Sequence, residues 1–323
     1  MIVVGGEALV DLVPDGGVPE GELAPLVPRL GGGPYNVAVA LGRLGAKAAL
    51  LSRISGDTFG RALFRRLVAS GVDTSLVQRG DERTTLAVAL PDGEGRVDYD
   101  FRVHDTADRL VSDPGPLPSR TRAVALGTLS LVLEPGAGVY ETVLRRESER
   151  GVLVALDPNV RGALVSEPVA YRKRFEGWLP HVDLLKLSDE DACWLDAGSG
   201  REPMTSARRW VGMGPSAVVV THGGAGMSVV TRHGTCVEVA GPDSPVVDTI
   251  GAGDTVQAAL LAWLDQRNLL GREGVAAMGA AEWREALDFA TRAAAVTCSR
   301  AGAEPPRAAE LDTGGPSVER WPG

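Results

Sequence analysis

The chain has 323 residues, 44% of them hydrophobic, enough apolar material for one large α/β domain, and a formal net charge of −9 that disfavours a general nucleic-acid or anionic-membrane surface. Cys193, Cys236 and Cys298 are odd in number and widely separated, which fits neither a disulfide framework nor a zinc site and suggests a reducing cytoplasm. No apolar run reaches the length of a membrane span and the start carries no basic leader, so the expected partners are small molecules, with no nucleic acid and no membrane.

After a first strand, the segment Glu7–Leu30 holds Pro14, Pro19, Pro25 and Pro28 among short apolar runs. Asp11 in this segment suits accepting hydrogen bonds from two hydroxyls at once. Gly31-Gly32-Gly33-Pro34-Tyr35-Asn36 then leads into a helix whose apolar face includes Val37, Leu41 and Leu44 and which stops at Gly45. Its glycines admit a close backbone approach, and Asn36 offers a donor and an acceptor to paired hydroxyls.

Short β-branched or apolar runs follow at 48–54, 123–126, 152–156, 182–187 and 217–221, with helical patterns between them. This alternation predicts a doubly wound, mainly parallel sheet flanked by helices. Polar or glycine residues close several of these strands, namely Gly127-Thr128, Asp157-Pro158-Asn159, Lys186-Leu187-Ser188 and Thr221-His222-Gly223. Ligands of open α/β sheets bind at such carboxyl ends. Between the strands, 84–103 alternates in antiparallel fashion around Pro91-Asp92-Gly93, and with 7–30 it is expected to form a small sheet over the site, excluding water. Two ordinary surface hairpins are the competing account. Residues 226–231 and 235–239 read as a hairpin.

Near the end comes Asp248-Thr249-Ile250-Gly251-Ala252-Gly253-Asp254, followed by an amphipathic helix from Thr255 carrying Val256, Ala259, Leu260, Trp263 and Leu264. First-turn N–H groups beside residues without bulk favour a bound phosphate oxygen. A carboxylate beside that phosphate suits a general base taking a proton from an alcohol. Asp254 as a plain N-cap is the competing account. The four histidines show no metal-ligand spacing, and the tail from Pro305 looks loosely structured.

Together, Gly31–Asn36, Gly45, Gly56-Asp57-Thr58-Phe59-Gly60 and Asp248–Asp254 resemble both signature regions of the ribokinase-like (PfkB) carbohydrate kinases. Within the family, Gly6-Glu7-Ala8-Leu9-Val10-Asp11-Leu12, Tyr99-Asp100-Phe101-Arg102, Asp157-Pro158-Asn159-Val160-Arg161 and Lys186-Leu187-Ser188-Asp189-Glu190 look most like bacterial fructokinases. The resemblance implies one kinase domain over residues 1–312, with a lid from about 7–30 and 84–108, and a loose tail over 313–323. It implies an ATP-dependent kinase that phosphorylates a sugar hydroxyl, fructose being the leading acceptor, with ribose, 2-keto-3-deoxygluconate or a nucleoside as alternatives and a silent sugar sensor ranked lower.

Carried onto this sequence, the resemblance makes Asp254 the catalytic base and Gly251, Ala252 and Gly253 the anion hole. Asp11, Gly32, Gly33 and Asn36 match sugar-binding positions, with Arg102 and Arg161 as further substrate contacts. Lys186, Ser188, Thr221, Gly223, Gly226 and Gly253 match the nucleotide side, and Thr291 falls near the adenine. Ser188 and Asp191 stand where many relatives carry an Asn-x-x-Glu motif that organises Mg²⁺. Asp248 and Ile250, with Thr297, Arg300 and Gly302, resemble a loop that completes a potassium site. Relatives also suggest a homodimer formed through the lid.

A dinucleotide-binding oxidoreductase fits less well, since no Gly-x-Gly-x-x-Gly opens an early βαβ unit, and the chain has no P-loop signature.

Overall fold

The computed structural model describes residues 1–15, 24–91, 97–197 and 199–312. The first strand, β1 (Ile2–Gly5), is buried on both faces, as a central parallel strand must be. The chain leaves it at Gly6 for the lid, making β2 (Leu9–Pro14) and β3 (Leu26–Gly31), then returns through α1 (Gly33–Arg43), β4 (Ala48–Ser55), α2 (Thr58–Ala69) and β5 (Val77–Gly80). A second excursion supplies β6 (Thr85–Pro91) and β7 (Val97–Arg102). Next come β8 (Ala123–Gly127), α3 (Gly136–Glu149), β9 (Leu153–Asp157), α4 (Pro168–Trp178), β10 (Leu184–Ser188), α5 (Asp189–Leu195), α6 (Pro203–Val211) and β11 (Ala217–Thr221). The hairpin β12 (Gly226–Thr231) and β13 (Cys236–Ala240) precedes α7 (Ala252–Gln266), α8 (Arg272–Ala277), α9 (Ala280–Cys298) and α10 (Ala308–Asp312).

Nine strands form one sheet in the order β13-β12-β11-β10-β9-β8-β1-β4-β5. The pairs from β11 through β5 are parallel, while β12 and β13 add an antiparallel edge. Strand order reverses beside β1: the chain proceeds outward to β4 and β5, then crosses back to β8 on the other side. Diverging connections at such a reversal leave a crevice at the carboxyl ends of the strands. The loops after β1 and β8 therefore flank a natural binding site.

Four strands, ordered β3-β2-β6-β7, form a separate sheet. The two irregular segments thus combine as the lid, with β2 and β6 paired in parallel and each forming an antiparallel pair with its sequence neighbour. The proposed turn residues Asp92 and Gly93 lie outside the described residues, as does the tail 313–323. Two core clusters lie on opposite faces of the large sheet, one built with α1, α7 and α9, the other with α3, α4 and α6. Helix α7 is buried without a break from Asp254 to Leu264, because it packs against both α1 and α9.

Two expectations need correction. Asp254 does not precede its helix: Gly251 is the N-cap, and Asp254 lies within the first turn. The tail from Pro305 is ordered as far as Asp312, because Pro305 and Pro306 are buried and α10 follows them. Among the described residues, no helix is long and apolar enough to cross a membrane.

Candidate active site

A cavity of about 230 Å³ opens where the sheet reverses, between the strand ends and the lid. Leu9, Asp11, Tyr99 and Phe101 wall it from the lid, Glu7, Thr128 and Leu129 from the loops after β1 and β8, and Thr249 to Asp254 from the start of α7. Period-two alternation explains which side of β7 faces it. Tyr99 and Phe101 point inward with rings 5.9 Å apart, whereas Arg102, 68% exposed, pairs with Asp100 at 2.5 Å. Arg102 is therefore not among the cavity residues, contrary to expectation; Arg161 is.

Asp254 is buried, and its Oδ2 accepts from Asn36 Nδ2 at 2.9 Å. Burial raises its carboxyl to about 6, although the Asn36 amide acts in the opposite sense. Asp11 is also pushed up to about 6, first by burial and then by the charge of Asp254. The Asn36 side-chain Oδ1 is buried without a partner among the described residues and is open to accept from a hydroxyl. Gly32 and Gly33 line the same cavity. A Cβ on Gly33 would lie 2.5 Å from Thr128 Cγ2 and 3.3 Å from Asp254 Oδ1, so glycine is what the close approach permits.

Gly251 has φ +78, the left-handed cap that turns the chain into α7. Its N–H and that of Gly253 have no protein hydrogen-bond partner among the described residues, whereas Ala252 N–H reaches Thr249 O at 3.2 Å. Of the three expected anion-hole donors, two are thus open. Lys186 lies beside them, since a Cβ on Gly253 would come within 2.9 Å of Lys186 Nζ. The ammonium is buried and pairs with Asp157 Oδ2 at 2.7 Å. Burial pulls Lys186 down, but Asp157, then Asp191 and Asp254, outweigh it and leave it above its ordinary value. A fixed positive charge with two open N–H donors at a helix N-terminus makes a strong oxyanion site.

Ser188 and Asp191 form a capping box on α5, and the remaining Asp191 oxygen accepts from Val160 N–H at 2.7 Å. Thr221 ends β11, and Gly223 and Gly226 shape the turn after it; a Cβ on Gly226 would strike Val239 O at 2.1 Å, which alone explains that glycine. Thr291, on α9, is buried with its hydroxyl unpartnered and does not line the cavity. Asp248 accepts from Ile250 N–H at 3.0 Å and from Gly302 N–H at 2.8 Å, and Thr297 bonds Thr255 at 2.9 Å, so the two segments expected around a cation do meet. The Arg300 side chain bonds Glu310. Among the described residues no cluster of histidine, cysteine or carboxylate side chains is built to hold a metal ion.

The sequence placed Glu7, Tyr99, Phe101, Asp157 and Asn159 in the resembling motifs, the last two at a ligand-binding strand end, but assigned none of them an individual role. Strand alternation signalled Tyr99 and Phe101, and Asp157 closes a buried strand, where a charged residue needs a partner.

Residues 1–309 match the profile of the pfkB family carbohydrate kinases. A fructokinase of Rhizobium leguminosarum bv. trifolii is 35% identical over 282 residues, covering 86% of this chain and 84% of its own. One from Klebsiella pneumoniae is 34% identical over 264 residues, covering 80% of this chain and 82% of its own. A structure of Xylella fastidiosa fructokinase with bound ATP superposes with a TM-score of 0.83 at 25% identity, covering 94% of this chain and 93% of that one. A Vibrio cholerae fructokinase double mutant bound to fructose, ADP and potassium ion gives 0.80 at 25% identity, covering the same shares. With a family match over nearly its whole length, a ribokinase-like fold and both signature regions at one cavity, this chain belongs to the pfkB carbohydrate kinases and is a fructokinase-like, ATP-dependent sugar kinase.

Proposed function

We propose that the protein transfers the γ-phosphoryl group of ATP to a hydroxyl of fructose, giving fructose 6-phosphate. The observation that carries this reading is the cavity in which Asp254, held by Asn36, adjoins two open N–H donors and the Lys186 ammonium. Asp254 takes the proton of the attacking hydroxyl, while Gly251, Gly253 and Lys186 face the charge that gathers on the transferring group. Asp11 and Asn36 hold neighbouring hydroxyls, and the lid rings of Tyr99 and Phe101 cover the sugar. Catalysis then rests on positioning and charge stabilisation.

Identity to bacterial fructokinases supports fructose over other acceptors. The cavity also speaks against an acid sugar: Glu7, Asp11 and Asp254 line it against a single arginine, Arg161. An anionic acceptor calls for paired cations. On the nucleotide side, Asp157 Oδ1 is buried and unpartnered among the described residues and is the oxygen free to meet a water of Mg²⁺, whereas both Asp191 oxygens are taken by Ser188 and Val160, so Asp191 would act only by holding the loop around the ion. The segments of Asp248 and Ile250 and of Thr297, Arg300 and Gly302, joined by the bond from Gly302 N–H to Asp248, would hold potassium, as the cation-bound Vibrio enzyme encourages.

The test is ADP release with Mg-ATP, with and without potassium, across fructose, ribose, 2-keto-3-deoxygluconate and several nucleosides, with Asp254→Asn as blank. A fructose-dependent signal that disappears in the variant is the expected result. Preference for another acceptor would reassign the substrate, and no acceptor-dependent release would overturn the reading.

A further inference from the structure

Glu7 sits in the three-residue link between β1 and β2, so it belongs neither to the large sheet nor to the lid but joins them. It is only 3% exposed and lines the acceptor cavity. Its Oε1 accepts from Gly33 N–H at 3.2 Å and from the Thr128 hydroxyl, and its Oε2 accepts from Ser130 N–H at 3.1 Å. One carboxylate in the link between the two sheets therefore ties the start of α1 to the turn after β8 that carries Thr128 and Ser130.

Both of these parts need holding. Thr128 has φ +60, a left-handed conformation that β-branched residues rarely adopt. Gly33 begins α1, the helix that carries Asn36 to Asp254. Contact between the two is tight enough that even a Cβ on Gly33 would collide with Thr128. Burial raises the Glu7 carboxyl to about 7, a penalty offset by the three donors that it accepts from. A carboxylate retained under that penalty points to a role beyond packing.

We propose that Glu7 is a positioning residue for the acceptor: by clamping the Thr128 turn to the N-terminus of α1, it sets the distance between the acceptor hydroxyl and the Asn36-held Asp254. The proposal rests on the kinase reading above. Loss of the clamp lets Thr128 relax and α1 shift, which displaces acceptor and base from one another while leaving the nucleotide side, built on β10 and β11, in place. Small displacements of reacting groups lower rates steeply.

The test is Glu7→Gln, which keeps the shape but turns an amide N–H₂ toward a donor it cannot satisfy. Acceptor KM should rise and kcat should fall, each by roughly ten-fold or more, with the KM for ATP within about two-fold of wild type. Thr128→Val, which removes the hydroxyl, should behave alike, Thr128→Ser should restore near-normal kinetics, and the double variant Glu7→Gln/Thr128→Val should be no worse than either single one. Glu147→Gln is the control: Glu147 is equally buried, accepts from Leu117 N–H and pairs with Arg150 away from the cavity, so it should lower Tm without changing acceptor KM. If Glu7→Gln fails to fold, the Thr128 variants probe the same clamp from its other end. Unchanged acceptor kinetics in Glu7→Gln, or in Thr128→Val where that stands in, or equal increases in acceptor and ATP KM, would overturn the clamp alone. A wild-type enzyme that releases no acceptor-dependent ADP would overturn the kinase reading and the clamp with it.

Discussion

Asn36 Nδ2 donates to Asp254 Oδ2 at 2.9 Å, a single hydrogen bond between residues 218 positions apart that joins the start of α1 to the start of α7. It binds the wall that carries Gly32 and Gly33 to the proposed base. The bond also decides the orientation of the Asn36 amide: its N–H₂ must face the carboxylate, so its Oδ1 is the atom left to accept from the proposed acceptor.

Replacing Asp254 by Asn keeps this bond and removes the base. Turnover should fall by roughly 10³-fold or more, with fructose and ATP binding retained, as calorimetry would show. The variant should also be more stable at pH 8. A carboxyl raised from 3.8 to about 6 gives stability that is complete below about pH 4 and lost as pH rises through about 6. The amide suffers no such loss, which is worth on the order of 2–3 kcal/mol at pH 8 and nothing near pH 4. Equal thermal melts of the two proteins at pH 8 would contradict the assignment of Asp254 as a strained buried acid.

The pH profile follows from the same two carboxyls. Asp254 and Asp11 both lie near 6, each raised first by burial, with the charge of Asp254 raising Asp11 further. The kcat/KM for the sugar should fall below about pH 6, as the base acquires a proton. Asn36 stabilises the ionised Asp254, and Asn36→Ala should therefore move this limb to higher pH as well as weaken sugar binding. A limb that stays in place would show that the Asn36 amide does not act on the base.

Gly253→Ala puts a methyl group 2.9 Å from Lys186 Nζ, closer than van der Waals contact. The lysine must withdraw from the open N–H donors. We expect kcat to drop by about ten- to a hundred-fold with little change in Tm. Full activity in this variant would separate Lys186 from the transferring phosphoryl group.

Lys186→Met leaves Asp157 buried and unpaired, and should destabilise the fold by about 3–5 kcal/mol. Adding Asp157→Leu should recover most of that stability, because two apolar side chains replace the pair. Activity should not return. Denaturant melts and ADP release on the same samples separate the two effects, and a recovered kcat would mean the pair serves packing alone.

The periodic signals carried the fold well. Residues 217–221 and 226–231 are strands with the expected limits, because β-branched runs bounded by Gly and Pro leave little freedom of register. The lid was legible as two irregular segments, but its parallel β2 to β6 pairing joins residues far apart in sequence and leaves no local trace. At the site, Asp254 and Asn36 announce themselves by their glycine neighbours. Arg102 misled because charge alone does not say which side of a strand it occupies. Glu7 and Asp157 stood inside recognisable motifs, but the partners that single them out, Gly33 N–H and Lys186, lie far away in sequence and leave no local trace.

The lid consists of two excursions from the large sheet, between β1 and α1 and between β5 and β8, and the base, the oxyanion donors and the nucleotide-side strand ends all lie elsewhere in the chain. The part of the acceptor wall that the lid supplies is thus written apart from the start of α7, while Asn36 and Arg161 stay with the core. Recombination that exchanges residues 9–31 and 85–102 with those of a relative offers a short evolutionary route to a new sugar, in which the catalytic apparatus is inherited whole.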